Sequence, residues 1–198
     1  SMLTSMICAP ASTCWRATLS SRTSVQGLTS TSNSRNTSRT RPSASPRRSR
    51  GPRSGSLVGK DAIVVKQGNG SRRLAVFADP NCGYCKRLER DLVALKDVTI
   101  YNFVYPVLGP DSNEKSRAIW CSKDAMKTWR DWMIDGVTPP RAMGKCDDAA
   151  IQRTIDYGKK YRINGTPAIV FENGDRVPGA LPAAELAKRL DEGKKPKS

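Results

Sequence analysis

The chain has 198 residues and no histidine, and its 34 Lys and Arg against 18 Asp and Glu give a formal net charge of +16. Without imidazole, Cys–His hydrolase mechanisms are excluded, and a reactive thiolate must be stabilised by a helix terminus and local hydrogen bonds. The charge is unevenly spread: residues 1–55 contain nine Arg but no Lys, Asp or Glu, and 22 of the 55 are Ser or Thr.

Such a segment cannot bury enough apolar surface to offset chain entropy, so residues 1–56 are read as disordered. Three readings stay open for it. It is an Arg-rich arm that binds nucleic acid or anionic surfaces by counterion release, an extension without a role, or the product of a shifted reading frame. Its start, Met2 to Ala11, is weakly apolar and lacks the basic region of a signal peptide, and no stretch of the chain has the length and apolarity of a membrane span. Export must therefore be argued from the cysteines. Cys8 and Cys14, inside this segment, receive no role.

Residues 57–198 carry regular patterning. A strand is predicted over 62–66, and the turn Gly68-Asn69-Gly70 leads back into a second strand over 73–78. Asp79-Pro80-Asn81 supplies capping chemistry, and Cys82-Gly83-Tyr84-Cys85 opens a helix in which Cys85, Leu88, Leu92 and Leu95 share one stripe. That stripe puts Cys85 on the buried side and leaves Cys82 at an exposed tip. A strand over 98–105 follows, closed by Pro106. Residues 113–135 read as one helix with Ile119, Met126, Trp129 and Met133 on a stripe and Trp120 and Trp132 beside it; these aromatics are read as packing. Asp147 or Asp148 caps a helix bearing Ile151, Ile155 and Gly158. Thr166-Pro167 leads into a strand over 168–171, Asn173-Gly174 turns the chain back, and Pro182 starts a last helix with Ala183, Leu186 and Leu190 inward.

Strand, turn, Cys-x-x-Cys and helix in that order is what thiol–disulfide exchange needs. The attacking sulfur must be a thiolate, and a helix N-terminus offers partial positive charge and unpaired N–H groups to stabilise one. The asymmetry of the stripe makes Cys82 the candidate nucleophile and Cys85 its resolving partner. Thr166-Pro167 is a candidate cis-proline, against an ordinary trans-proline at a strand start. Its loop could pair the Thr166 backbone with an extended substrate peptide. Cys121 and Cys146, if bridged, close a loop of about 25 residues, worth roughly 3.5 kcal/mol by chain entropy, and imply an oxidising compartment. Two buried free thiols, or a zinc site using all four cysteines of this region, are the alternatives. The wide spacing of the second pair and the lack of His argue against zinc. No metal and no cofactor are expected.

The element order β-β-α-β-α-α-β-β-α, with Cys-x-x-Cys at the first βα junction, is the plan of a thioredoxin-like α/β fold with a helical insertion over about 107–146. The runs Phe77–Leu88, Ile119–Asp124, Gly165–Ala168 and Val177–Gly179 together resemble the C-terminal catalytic domain of DsbC-type bacterial disulfide isomerases, over about Lys60 to Glu192. The resemblance implies a periplasmic domain acting on disulfide-containing or misfolded exported proteins. It also implies Cys82 as nucleophile, Cys85 as partner, Thr166-Pro167 as the cis-proline loop and Cys121–Cys146 as a structural disulfide. A membrane-linked thiol reductase would keep the pair reduced. Tyr84, Thr166 and Pro167 are the substrate-binding candidates. The family is homodimeric, with a dimerisation domain and a linker helix, and residues 1–55 resemble neither. A V-shaped dimer is therefore not expected of this chain, and a monomeric domain would exchange disulfides but isomerise poorly. The competing reading is an Arg-arm binder of nucleic acid or anionic surfaces on a redox-inert thioredoxin-like scaffold; nucleic acid is not expected as a partner of the redox domain.

Overall fold

The computed structural model describes residues 59–142 and 144–193, together with two strands near the start of the chain, Leu3–Cys8 (β1) and Cys14–Leu19 (β2). Within the segment read as disordered, these two pair antiparallel in a ribbon separate from the main sheet. They hold most of that segment's large apolar residues, Leu3, Met6, Ile7, Trp15 and Leu19, which the Ser/Thr average over 55 residues hides. The rest of the disorder reading, and the Arg-rich stretch with it, lies outside the described residues.

A five-stranded sheet carries the domain: β3 (Ile63–Gln67), β4 (Arg72–Ala78), β5 (Val98–Val104), β6 (Ala168–Phe171) and β7 (Arg176–Pro178), in spatial order β3-β5-β4-β6-β7. β4 lies parallel to β5 and antiparallel to β6, with β3 and β7 antiparallel on the two edges. The Gly68-Asn69-Gly70 turn does not close a hairpin between β3 and β4. β5 is inserted between them, because the run 98–104 is apolar on both faces and takes the sheet interior. The Asn173-Gly174 turn does close a hairpin, between β6 and β7.

Side-chain alternation along β4 and β5 builds two cores. Leu74, Val76, Ile100 and Val104 face helix α1 (Gly83–Val93), helix α5 (Ala183–Gly193) and the insertion, where Leu88, Leu92, Leu186, Leu190, Ile119, Trp129 and Met133 are buried with them. Ala75, Phe77, Tyr101 and Phe103 face the other way, onto helix α4 (Ala149–Lys160) through Tyr157. Phe77 stacks on Phe103 and Tyr157, at centroid distances of 5.2 and 5.7 Å, and meets Tyr105 edge-on.

The helix expected over 113–135 is two helices, α2 (Pro110–Trp120) and α3 (Ala125–Arg130), the second running on into a π-helical turn at Asp131–Asp135. The break falls at Ser122-Lys123-Asp124, where the Ser122 hydroxyl donates to the Ile119 carbonyl at 2.7 Å and Asp124 caps α3 by accepting from the Lys127 N–H at 2.9 Å. After that break Met126 leaves the expected stripe and is exposed, while Ile119, Trp129 and Met133 stay buried. Of Asp147 and Asp148, Asp148 occupies the N-cap of α4 without a side-chain capping bond, and the Asp147 carboxylate accepts from the Ala149 N–H.

Candidate active site

The sheet register brings the two halves of the site together. β4 and β6 are antiparallel with Phe77 opposite Ala168, so the residues that leave β4 and those that enter β6 lie side by side. The first group runs into Cys82 and α1. The second is Thr166-Pro167, joined by a cis peptide bond. Their juxtaposition is direct: Cys82 Sγ, as a thiol, donates to the Thr166 carbonyl oxygen at 3.3 Å. Behind this loop the Gly179 N–H donates to the Pro167 carbonyl at 2.7 Å, which seats the Val177–Gly179 run against it.

Cys82 is the N-cap of α1. Its backbone is extended, φ −77° and ψ 117°, and its sulfur accepts from the Cys85 N–H at 3.3 Å. No carboxylate lies in the first turn of α1 to oppose a negative sulfur. Both cysteines are free thiols, and the expected exposed tip is not there: Cys82 is 6% exposed and Cys85 1%. The 166–167 loop, distant in sequence, covers Cys82. What remains of the asymmetry lies in their ionisation. The Cys82 thiol is lowered to about 6, first by the hydrogen bond from the Cys85 thiol, against the opposing effect of burial, and then by the Thr166 side chain and the N–H groups of Cys85 and Tyr84. Cys85 is pushed strongly upward, first by burial and then by the hydrogen bond and charge of Cys82. The Thr166 carbonyl favours the neutral thiol; the Cys85 thiol, the Thr166 side chain and the two N–H groups favour the thiolate, the Cys85 thiol most of all, and together they outweigh burial.

Tyr84 projects into solvent, 69% exposed. With Arg87, Asp91, Thr166 and residues 179–182 it lines a cleft of about 500 Å³ beside the sulfur. A larger cleft, about 690 Å³, lies on the insertion between α2 and residues 138–142; neither Cys82 nor Cys85 lines either cleft, and Thr166, which contacts the Cys82 sulfur, lines only the smaller one. Cys121 and Cys146 are bonded to each other, with Cα atoms 5.8 Å apart, joining the end of α2 to the residues just before α4. Among the described residues no cluster of His, Cys, Asp or Glu could hold a metal ion.

Asp79 carries more than the capping role its sequence position suggests. It is fully buried with no cation beside it among the described residues, and its carboxylate accepts from the Asn81, Val107 and Leu108 N–H groups at 2.7 to 2.9 Å and from the Ser112 hydroxyl at 2.8 Å. Four donors replace a counter-ion and fix the turn that presents Cys82 against the start of the insertion. The signal for this was an Asp at the end of an apolar strand with no Lys or Arg in the following turn.

The thioredoxin-like domain family matches residues 59–194. The probable thiol:disulfide interchange protein DsbC of Bordetella parapertussis is 51% identical over 130 residues, 65% of this chain and 46% of that protein. DsbC of Escherichia coli K12 is 33% identical over 140 residues, 69% of this chain and 58% of that protein. The crystal structure of a disulfide interchange protein from Neisseria gonorrhoeae superposes with a TM-score of 0.65 at 36% identity, covering 70% of this chain and 99% of that one. The chain thus spans about half the length of the curated relatives it matches. Taken with a sheet, a Cys-x-x-Cys helix and a cis-proline loop in this arrangement, these matches mean that the chain belongs to the thioredoxin-like family, among the DsbC-type thiol:disulfide interchange proteins.

Proposed function

We propose that the chain is a thiol:disulfide interchange enzyme acting on exported proteins through Cys82 and Cys85. The observation that carries this reading is the position of Cys82 as the side-chain N-cap of α1, its thiol lowered to about 6 while that of Cys85 is raised. At pH 7 most Cys82 is then thiolate, where an ordinary cysteine is only about 3% ionised. The thiolate attacks one sulfur of a substrate disulfide; that S–S bond breaks, a Cys82–substrate disulfide forms, and the released substrate thiolate takes up a proton. Two exits follow. A substrate thiolate attacks the mixed disulfide and regenerates Cys82, which rearranges the substrate without net electron transfer. Alternatively Cys85 loses its proton and attacks Cys82 Sγ, leaving a Cys82–Cys85 disulfide and a substrate reduced by two electrons. Another turn then needs a two-electron donor, the role of a membrane-linked thiol reductase. Cys85, held neutral by burial, is slow to attack, which lengthens the time available for the first exit.

Thr166 and Pro167 border the sulfur, and Tyr84 flanks the cleft beside it, so an extended substrate segment has a backbone partner at Thr166 and an exposed ring to lie against. The Cys121–Cys146 disulfide and the relatives' names agree with a periplasmic location.

The test is insulin reduction and refolding of scrambled ribonuclease by the full chain and two variants. Cys82→Ser is expected to abolish both activities. Cys85→Ser is expected to lose insulin reduction and accumulate a mixed disulfide with substrate. Wild type no better than Cys82→Ser in both assays would overturn the proposal.

A further inference from the structure

Both flanks of the Cys82–Cys85 turn converge on one side chain supplied by the insertion. Trp132 lies in the π-helical turn Asp131–Asp135, and its indole Nε1–H donates to the Pro80 carbonyl oxygen at 2.6 Å. Pro80 stands two residues before Cys82. The face of the same ring carries the Lys86 ammonium, with Nζ 3.7 Å from the centroid, and Lys86 directly follows Cys85. From α2, Lys115 Nζ approaches the ring at 5.2 Å.

Neither contact is incidental packing. Pro80 has no N–H, so its carbonyl is the one backbone polar group by which neighbouring structure can hold it. The Lys86 ammonium is depressed in pKa by burial and then by the charges of Lys115 and Arg90, and among the described residues it has no carboxylate partner. The aromatic face is what offsets this cost, and a cation over Trp is the strongest arrangement of its kind. A π-helical turn is itself rare, and such turns are frequent at functional sites. The two clamped residues also connect to Cys82 through short paths. The Cys82 N–H donates to the Asp79 carbonyl, next to Pro80, and the Lys86 N–H donates to the Cys82 carbonyl, each at 3.1 Å.

We propose that Trp132 is a positioning residue for the Cys82 reaction, clamping the Pro80 carbonyl and the Lys86 ammonium so that the turn between them keeps the Cys85 and Tyr84 N–H groups aimed at the Cys82 sulfur. The inference rests on the assignment of Cys82 as nucleophile. Trp132 acts through the turn and touches no reacting atom.

The experiment follows iodoacetamide alkylation of Cys82 in the full chain as a function of pH, read by peptide mass spectrometry so that Cys8 and Cys14 do not interfere. Trp132→Phe keeps the ring and removes the N–H; Lys86→Met keeps the stem and removes the charge. In each variant the Cys82 titration midpoint is expected to rise and alkylation at about pH 5, below both midpoints, to fall about threefold, the change in thiolate fraction that half a unit brings there. Thermal unfolding of both variants is measured alongside. A midpoint unchanged in both overturns the clamp, including the case where only unfolding temperature falls. A shift in Trp132→Phe alone supports the carbonyl contact and overturns the cation contact; a shift in Lys86→Met alone does the reverse. A wild-type midpoint near an ordinary thiol, about 8.5, would instead overturn the nucleophile assignment, and the clamp with it.

Discussion

Glu89 and Cys85 sit one helical turn apart on the buried stripe of α1, and both are side chains whose charged form the core opposes. Glu89 is 3% exposed and its carboxyl is pushed up to about 7, first by burial, with the Trp129 indole and the Arg130 charge pulling it partly back. Its folded pKa therefore lies above its unfolded value of about 4.3. A group shifted in this direction contributes stability that is fully present below the unfolded pKa and is lost as pH rises through the folded one. Glutamine imitates the neutral carboxyl in shape and polarity and has nothing to ionise. Glu89→Gln is accordingly expected to match the wild type within about 1 kcal/mol at about pH 5 and to exceed it by about 2–3 kcal/mol at about pH 8. Chemical denaturation at the two pH values reads this directly; a variant less stable than wild type at the higher pH would mean that the ionised carboxylate is held by Arg130 more strongly than burial opposes it. The burial of Glu89 was not legible in the sequence, because its stripe partner across the interface, Trp129, belongs to the insertion, whose packing angle no local pattern reports. The exposed tip assigned to Cys82 failed for a similar reason: the residue that covers it, Thr166, is distant in sequence, and helical periodicity describes one face of one helix.

Elements were legible where their own residues decide them and not where a distant strand or helix decides. The α1 stripe, the β6–β7 hairpin and the α5 stripe rest on local period and turn chemistry, and stand. Gly68-Asn69-Gly70 is also sound turn chemistry, but a turn cannot report whether β5 enters between the strands it joins. The end of α2 is tied to residues 146–148, just before α4, by three contacts of different kinds: the Cys121–Cys146 bond, the Trp120 Nε1–H donating to the Asp147 carbonyl at 2.9 Å, and the Arg117–Asp148 pair at 2.9 Å. The bond contributes most of that, since the exposed ion pair is worth at most about 1 kcal/mol and a loop of this length about 3.5 kcal/mol by chain entropy. On the opposite core, α4 approaches the sheet through Gly158. A Cβ there would meet the Tyr105 ring at 2.4 Å, and that ring is fixed by its hydroxyl donating to the Ile163 carbonyl at 3.0 Å. The glycine is thus required by close approach. Gly158→Ala, normally favourable inside a helix, is expected to cost about 1–3 kcal/mol through overpacking. Urea unfolding measures the loss, and a stabilised alanine variant would mean that α4 can shift away from Tyr105 at no cost.

For the whole molecule, the same contacts that lower the Cys82 thiol couple redox state to global stability, and two magnitudes of opposite preference decide the sign. In the reduced protein the Cys82 pKa is lowered to about 6, below the unfolded value of about 8.5, and the side chain is only 6% exposed. A group lowered in this way adds stability that is fully present above the unfolded pKa and is lost as pH falls through about 6. Its full size is about 3 kcal/mol. The oxidised protein has no thiolate, but a Cys82–Cys85 bond closes a very short loop and restricts the unfolded chain by about 2 kcal/mol. At about pH 8.5 the thiolate contribution is the larger, and the reduced form should be the more stable by about 1 kcal/mol, a lead that shrinks at higher pH because Cys85, raised by burial, ionises first in the unfolded chain; below about pH 6 only loop closure remains, and the oxidised form should lead by about 2 kcal/mol. The curves are expected to cross between about pH 7 and 8, which leaves the reduced form disfavoured in acid and favoured in mild base. Guanidinium unfolding of the two forms across this range tests it, with Cys121–Cys146 intact and Cys8 and Cys14 in the same state in both. A stability difference that stays constant with pH would mean that the N-cap position of Cys82 does not stabilise its thiolate. That result would remove the physical basis for attack by Cys82 at neutral pH, so the equilibrium measurement tests the same geometry as the kinetic assays by an independent route.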